Sequence, residues 1–389
     1  MEMTSYERVK ATLEHREPDR VPFDLGGTVL TGMNRHCYVR LRDYLGLPKR
    51  EIRILDVMQQ LARIDEDMAE YLKTDVGCVD PSPPSSSPLA KPPALEGEYY
   101  TMTDEWGIQW KMPAQGGHYY DMADQPLKHA ETPADLDTFP WPDPSDPARF
   151  AGLKKAADSY VNEQKKAYIL GRQYAGIWET ALWMSGFEKF FMDMLANETF
   201  AHALMDTITE LKMQYWSNAL DAVGDNVLIM SEADDLATQN SLLCSVDLYR
   251  KLVHPYHKKL FDFIKGKARN KVYVFYHTCG AVKPLIPLLI EEGVDILNPV
   301  QVKADDMDTR ELKREFGREI TFWGGGVDTQ HVLPFGSPQE VRDEVKRRID
   351  DLAPGGGFVF AAVHNVQSDV PPENYMAMWE TMREYGLYG

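Results

Sequence analysis

Residues 272–280 read Val-Tyr-Val-Phe-Tyr-His-Thr-Cys-Gly, and both the fold and the site are inferred outward from this stretch. Its first residues are β-branched or aromatic, which is typical of a buried β-strand. Side chains at i and i+2 of an extended segment point the same way, so His277 and Cys279 are predicted to address one point beyond the strand end. That arrangement suits a metal ion. The alternative is a core histidine beside a cysteine that is buried for packing alone.

The composition is typical of an acidic enzyme. Of the 389 residues, 43% are hydrophobic and 26% are charged, and 42 Lys+Arg against 60 Asp+Glu give a net charge of −18. This charge disfavours binding to nucleic acid or to an anionic membrane. The four separated cysteines do not suggest a disulfide framework, and neither a leader peptide nor an apolar run of about 18 residues is found. We therefore expect a cytoplasmic protein without a membrane partner.

The strand that ends at Tyr276 belongs to a regular series. From Ala167 onward, short apolar runs alternate with helical segments, and two earlier candidates at 21–25 and 74–79 bring the strand–helix units to eight. The alternation predicts an α/β fold with a parallel sheet, and eight units predict a closed (β/α)₈ TIM barrel. A doubly wound open sheet is the rival interpretation. The later runs are 168–170, 227–230, 272–276, 296–297, 320–323 and 358–361.

Capping patterns and apolar spacing predict the helices. Thr4 and Glu7 have capping-box spacing and open a helix to about residue 15, while Ser337-Pro338-Gln339-Glu340 opens one that ends before Gly355. The apolar residues of 51–72 recur at helical spacing and predict another helix.

Residues 80–148 differ from the rest and interrupt the series. They include a Pro/Ser-rich loop at 81–88 and alternating aromatic residues around Trp106, which predict a small antiparallel excursion. We expect an insertion that covers one end of a single barrel domain spanning 1–389.

Polar residues follow the predicted strands, where barrels of this kind carry their chemistry. Glu179, Asp234 and Asp235 are candidate acid/base residues, although each also suits the first turn of a helix, and one such helix would begin near Leu236. Asp24, Asn298 and Gln301 are candidates for substrate binding. Other polar residues at predicted strand ends include Asp75, Asp328 and Asn365.

A third potential ligand, His364, follows the last predicted strand. It would meet His277 and Cys279 across the mouth of a barrel. Three nitrogen and sulfur ligands with an open fourth position are typical of catalytic zinc.

These motifs resemble those of the uroporphyrinogen decarboxylase superfamily along the whole chain. The similar stretches are 7–9, 17–22, 276–280, 324–328 and 371–374. The resemblance implies a distorted (β/α)₈ barrel, in agreement with the strand count, and a homodimer is possible. The superfamily divides into decarboxylases and corrinoid-linked methyltransferases.

Two positions in the sequence indicate which branch of the superfamily the chain resembles. The decarboxylases carry Met-Arg-Gln-Ala-Gly-Arg on the first strand to hold carboxylates, whereas residues 23–28 here read Phe-Asp-Leu-Gly-Gly-Thr. The methyltransferases bind zinc through His-x-Cys-Gly and a later Cys; His277, Cys279 and Gly280 match, but His364 replaces the later Cys. The decarboxylases also have His there, so His364 is either a ligand or a substrate contact. With one thiolate fewer, zinc would be a stronger Lewis acid, suited to activating an ether or amine.

The resemblance therefore implies a zinc-assisted methyltransferase acting between a small O-methyl or N-methyl compound and a corrinoid. Because no Asp-x-His-x-x-Gly motif is found, the corrinoid is expected on a partner protein. The alternatives are methyl transfer to a pterin such as tetrahydrofolate, a metal-free decarboxylase in which Asp24 or Asp75 carries the proton, and a catalytically silent ligand-binding relative.

Overall fold

The computed structural model describes residues 2–85 and 93–389. In chain order the elements are α1 (Ser5–Leu13), α2 (Arg35–Tyr44), β1 (Ile54–Asp56), β2 (Leu61–Ala62), α3 (Glu66–Tyr71), β3 (Val76–Val79), β4 (Ala94–Glu96), β5 (Tyr99–Thr103), β6 (Gln109–Pro113), β7 (Asp121–Asp124), α4 (Pro133–Asp137), α5 (Leu153–Asp158), β8 (Ala167–Leu170), α6 (Ile177–Ser185), α7 (Phe187–Ala196), α8 (Glu198–Val223), β9 (Ile229–Ala233), α9 (Val246–Leu252), α10 (His254–Lys267), β10 (Tyr273–His277), α11 (Ile286–Glu292), β11 (Ile296–Asn298), α12 (Thr309–Phe316), β12 (Thr321–Trp323), α13 (Val332–Phe335), α14 (Pro338–Leu352), β13 (Phe358–Val359) and α15 (Pro372–Tyr385).

Seven parallel strands form the barrel in the order of the chain, from β3 through β8, β9, β10, β11 and β12 to β13. Segment 22–24 joins the two edges of this sheet. The Asp24 N–H donates to the Phe360 carbonyl and the Phe360 N–H to the Pro22 carbonyl, both at 2.9 Å, while the Asp75 N–H donates to the Phe23 carbonyl at 2.8 Å. The predicted α/β barrel is thus confirmed, with its first strand reduced to a few residues.

Two apolar layers support this barrel. Inward-facing residues of the strands, such as Ile169, Ile229 and Phe275, pack together with Val9 and Leu13 of α1, which therefore closes the end of the barrel where the strands begin. A larger core lies between the strands and the outer helices. The opposite end, where the strands finish, remains available for polar side chains.

The predicted capping boxes of α1 and α14 are present. The helix predicted over 51–72 is wrong for most of its length, because an antiparallel pair, β1 and β2, precedes a helix that begins only at Glu66. The helix proposed to begin near Leu236 is also absent, since the next helix begins at Val246. In both places local spacing misled because tertiary pairing decided the conformation.

Asp75 lies at the opposite end of the barrel from the position predicted for it. It precedes β3, is fully buried, and binds the guanidinium groups of Arg8 and Arg20 at 2.7 Å each. The residue that follows β3 is Asp80. Asp75 is therefore a structural ion-pair partner, and the alternative in which it carries a proton at the mouth has no geometric basis.

Strands β4 to β7 form the antiparallel sheet expected around Trp106. Buried Asp104 ties it to the barrel by accepting a 2.8 Å hydrogen bond from the Trp110 indole and another from the Tyr174 hydroxyl. Part of the predicted Pro/Ser-rich loop, residues 86–88, lies outside the described residues. Among residues 2–85 and 93–389, no helix is both long and apolar enough to cross a membrane.

Candidate metal and catalytic site

His277 is the last residue of β10, and its ring orientation is fixed by the neighbouring strand. Its Nδ1 lies 2.6 Å from Oδ1 of Asn298 at the end of β11. The Asn298 amide nitrogen donates to the Trp323 carbonyl at 2.8 Å, which identifies Oδ1 as the atom that faces the imidazole. Since Oδ1 can only accept, Nδ1 carries the proton and Nε2 presents a lone pair. This is the tautomer that a metal requires, supported in the way typical of metal-binding histidines.

Cys279 places its sulfur beside that lone pair. Its Sγ lies 3.4 Å from Nε2 of His277, and its backbone N–H donates to Oδ1 of Asp235 at 2.8 Å. The turn that follows requires glycine at position 280, where φ is +90° and a Cβ would lie 2.4 Å from the Thr238 carbonyl oxygen. The strand ladder and this turn together hold two potential ligands at one point.

His364 completes the group across the mouth. Its ring centroid is 5.1 Å from that of His277, and the ligand atoms of His277, Cys279 and His364 all lie within 4.8 Å of one another. It follows β13 and has φ of +61°, an uncommon backbone conformation for histidine. Its Nδ1 accepts the Asn365 N–H at 2.7 Å, which places the proton of the neutral ring on Nε2. His364 is therefore less prepared for coordination than His277.

Burial dominates the electrostatics of these three side chains. It lowers the pKa of His277 to about 4 and that of His364 to about 3, and raises the pKa of the Cys279 thiol well above its usual value. The imidazoles are thus neutral and able to bind a metal. A divalent cation would reverse the preference of the thiol, because a coordinating thiol loses its proton. Two imidazoles and one thiolate fit zinc.

Two carboxyl groups lie beside this cluster. Oδ1 of Asp235 is 3.9 Å from Nε2 of His277, and 42% of its side chain is exposed. Glu179 lies in the first turn of α6, and its pKa is raised well above the usual value by burial and then by the charges of Asp235 and Asp234. Asp235 could therefore serve as a further ligand or as a base, and the raised pKa of Glu179 suits a proton donor.

Asp234 is turned away from the metal-ligand cluster, although it is adjacent to Asp235. Its carboxylate accepts the backbone N–H groups of Trp178 and Glu179, at 3.2 and 2.5 Å, and lies 2.7 Å from Nε2 of His257. Burial alone would lower the pKa of His257, but hydrogen bonds to Asp234 and Glu292 outweigh it and raise this pKa to about 10. Asp234 thus joins a buried ion pair that supports the start of α6.

The three residues predicted to bind substrate all make hydrogen bonds within the protein. Asp24 accepts from the Trp323 indole at 2.9 Å, and burial raises its pKa to about 6. Asn298 orients His277, and Gln301 accepts the Gly280 N–H at 2.7 Å. These contacts describe supports of the site; a role in substrate binding stays a prediction.

Three residues at the mouth were not singled out from the sequence: Arg172, Asp56 and Asp80. Burial raises the pKa values of Asp56 and Asp80, and the positive charge of Arg172, beyond the end of β8, acts on both in the opposite direction. The position of Arg172, two residues after a predicted strand, was the available signal. Asp56 carried no such signal, because it lies on a strand where the sequence predicted a helix.

Comparison with known proteins shows which family the chain is similar to. The family profile described as Uroporphyrinogen decarboxylase (URO-D) matches residues 107–385, which is more than half of the chain. Two curated relatives are uroporphyrinogen decarboxylases from Sodalis glossinidius, 23% identical over 64% of this chain and 66% of that protein, and from Geobacter metallireducens, 30% identical over 48% and 49%. The chain thus spans about half to two thirds of the length of these relatives.

A solved structure shares the architecture along the whole chain. It is a methyltransferase from Methanosarcina mazei, with a TM-score of 0.64, 18% sequence identity and coverage of 99% of both chains. At this identity the likeness concerns the fold, and the chemistry has to be argued from the side chains.

Proposed function

The chain belongs to the uroporphyrinogen decarboxylase (URO-D) family, and from this premise we propose that it is a zinc-assisted methyltransferase acting between a small methylated compound and a corrinoid carried by a partner protein. The observation that carries the proposal is the preparation of His277 and Cys279, whose Nε2 and Sγ lie 3.4 Å apart. A histidine held in the metal-binding tautomer beside a cysteine indicates a metal site rather than core packing.

His277 and Cys279 would hold the metal, with His364 as third ligand once its Nδ1 releases the Asn365 N–H. Bound zinc would supply Lewis acidity toward the oxygen or nitrogen that carries the methyl group. Asn298 keeps the His277 ring in place, and Asp235 fixes the backbone of Cys279.

Glu179 is the proposed general acid. In the transfer, the bond between the methyl carbon and its heteroatom would break with both electrons on the heteroatom, and the corrinoid, as the acceptor substrate, would have to supply the electron pair for the new bond to the methyl carbon. The leaving heteroatom would take a proton, and the partly buried carboxyl group of Glu179, with its raised pKa, is suited to provide it. The barrel would align the methylated compound with the corrinoid, and this alignment is the main requirement of a displacement at the methyl carbon.

A decarboxylase is the second candidate, because the curated relatives bear that name. The first-strand segment 23–28 provides no arginine for an octacarboxylic substrate, and Arg8 and Arg20 are bound to Asp75 at the other end of the barrel. Release of CO₂ from uroporphyrinogen without added metal would favour this candidate.

The test combines metal analysis with methyl transfer to free cob(I)alamin. We expect about one zinc per chain, lost in Cys279→Ala and retained in the control Cys244→Ala, whose cysteine is free and half-buried in the turn before α9. Methyl transfer should follow zinc content. Zinc-free protein, or Cys279→Ala with undiminished zinc and activity, would refute the proposal.

A further inference from the structure

Buried polar atoms without a hydrogen-bond partner are concentrated in the segment 172–185, which runs from the end of β8 through α6. Among the described residues, 16 buried side-chain nitrogen and oxygen atoms lack a partner. A buried polar atom left unmatched is destabilising, so the two members that directly follow β8, Arg172 and Gln173, mark a place that a ligand completes. Those in the segment belong to Arg172, Gln173, Trp178, Thr180 and Ser185.

Arg172 is the charged member of this group, and its side chain contacts a residue of the barrel interior. Its Nη1 donates to the Ser231 hydroxyl at 3.3 Å, while its Nε is buried without a partner. Ser231 is fully buried on β9 and lies two residues before Ala233, which pairs with His277 in the sheet. The guanidinium group therefore contacts the layer of side chains that comes just before the candidate metal ligands along the strands.

Arg172 is partly buried and makes no direct ion pair, unlike the fully buried arginines. Each of those binds a carboxylate: Arg8, Arg20, Arg42, Arg149 and Arg348. In the described part of the chain, no carboxylate oxygen lies within 4.0 Å of the Arg172 guanidinium. Asp56 and Asp80 interact with its charge only from beyond ion-pair distance, so a direct partner for the guanidinium group has to come from a ligand.

We propose that Arg172 binds a carboxylate of the substrate, so that the methylated compound is a small carboxylic acid rather than a methylammonium cation. This inference rests on the proposed function. A guanidinium group matches a carboxylate through two parallel hydrogen bonds, and its free Nε–H is one of the donors needed. Gln173, 8% exposed and with both amide atoms unpartnered, is the adjacent residue for a second polar group of the same ligand.

The first experiment measures binding without chemistry. Benzoate and acetate are titrated calorimetrically into the zinc-loaded protein, with benzamide and acetamide as neutral counterparts. We expect at least one acid to bind more tightly than its amide. Arg172→Gln should weaken acid binding about 10- to 100-fold and leave the amide unchanged, whereas Arg172→Lys should retain part of it. Arg53→Gln, a surface control whose arginine is 66% exposed, should change neither.

The second experiment separates the two proposals. Methyl transfer to cob(I)alamin is compared for 3-methoxybenzoate and methoxyacetate against their amides in the wild type and in Arg172→Gln, after thermal melting confirms that the variant is folded. A preference for one acid that disappears in the variant supports the inference. Equal use of acids and amides would overturn the carboxylate inference and leave the proposed methyl transfer standing. Failure of every acid to bind would also overturn the inference. Arg172-dependent acid binding without zinc or methyl transfer would overturn the proposed function and keep the carboxylate subsite.

Discussion

Replacement of Asn298 tests whether the His277 tautomer is what makes the site a metal site. Asn298→Leu removes the acceptor 2.6 Å from Nδ1 of His277 and keeps a side chain of similar size. One hydrogen bond contributes about 0.5–1.5 kcal/mol net, which alone corresponds to about a 2- to 13-fold loss of zinc affinity. The freed ring also gains rotational freedom and a choice of tautomer. The expected total is therefore about 10- to 100-fold, as for other supports of metal ligands.

Asn298→Asp is the matched variant. Both substitutions remove the amide that donates to the Trp323 carbonyl at 2.8 Å, but the introduced carboxylate would keep an acceptor opposite Nδ1 of His277. That carboxylate should make the imidazole more basic, and zinc affinity should equal or exceed that of the wild type. Comparison of the two variants therefore isolates the orientation of His277 from the loss of packing.

The assay is a competition titration of zinc against a fluorescent chelator near neutral pH, with thermal melting to measure stability. Asn374→Leu provides the stability control, because Asn374 is also buried and donates two hydrogen bonds from α15, to Leu333 and Gly336, away from the proposed ligands. It should lower the melting temperature without changing zinc affinity. Equal zinc affinity in the Leu and Asp variants of Asn298 would refute the argument.

Three further outcomes follow from the contacts of the site. His364→Ala should weaken zinc binding less than Cys279→Ala does, because Nδ1 of His364 already accepts a backbone N–H; equal losses in the same titration would contradict this. Glu179→Gln should lower the rate of methyl transfer about 10²- to 10³-fold with zinc content unchanged, and an undiminished rate would exclude it as the acid. The pKa of His257 is about 10 in the folded protein and about 6.5 in the unfolded chain. Protonation of His257 therefore stabilises the fold fully below the unfolded pKa, and this stabilisation decreases as the pH rises toward 10. Melting from pH 6 to 10 should show this decline, and His257→Gln should reduce it.

The sequence predicts the parts of this structure that depend on repetition and on local geometry. Alternating strands and helices give the barrel, and the i, i+2 relation at the end of β10 brings His277 and Cys279 together. The convergence of His364 on them requires a closed barrel, and it was inferred from the strand count.

What the sequence does not predict are the contacts made between distant segments. Asp75 was assigned to the wrong end of the barrel because an acidic residue next to a strand does not reveal that Arg8 and Arg20 are folded against it. Arg172 carries no signal in the sequence for a related reason: its significance is that no carboxylate pairs with it directly, which is visible only when every other side chain is in place. Both errors concern charge pairing at long range, for which spacing along the chain carries no signal.

The adjacent carboxylates Asp234 and Asp235 show how one short motif serves both structure and chemistry. Neighbouring residues at the end of a strand point to opposite sides, so one carboxylate faces the helices and the other faces the mouth. Asp234 accepts two N–H groups at the start of α6 and lies 2.7 Å from Nε2 of His257 behind the site. Asp235 holds the backbone of Cys279 and, after burial, is the main cause of the raised pKa of Glu179. The position of the proposed acid on α6 is thus fixed by Asp234, and its pKa is raised partly by the charge of Asp235. Loss of either carboxylate should therefore impair Glu179 by a different route.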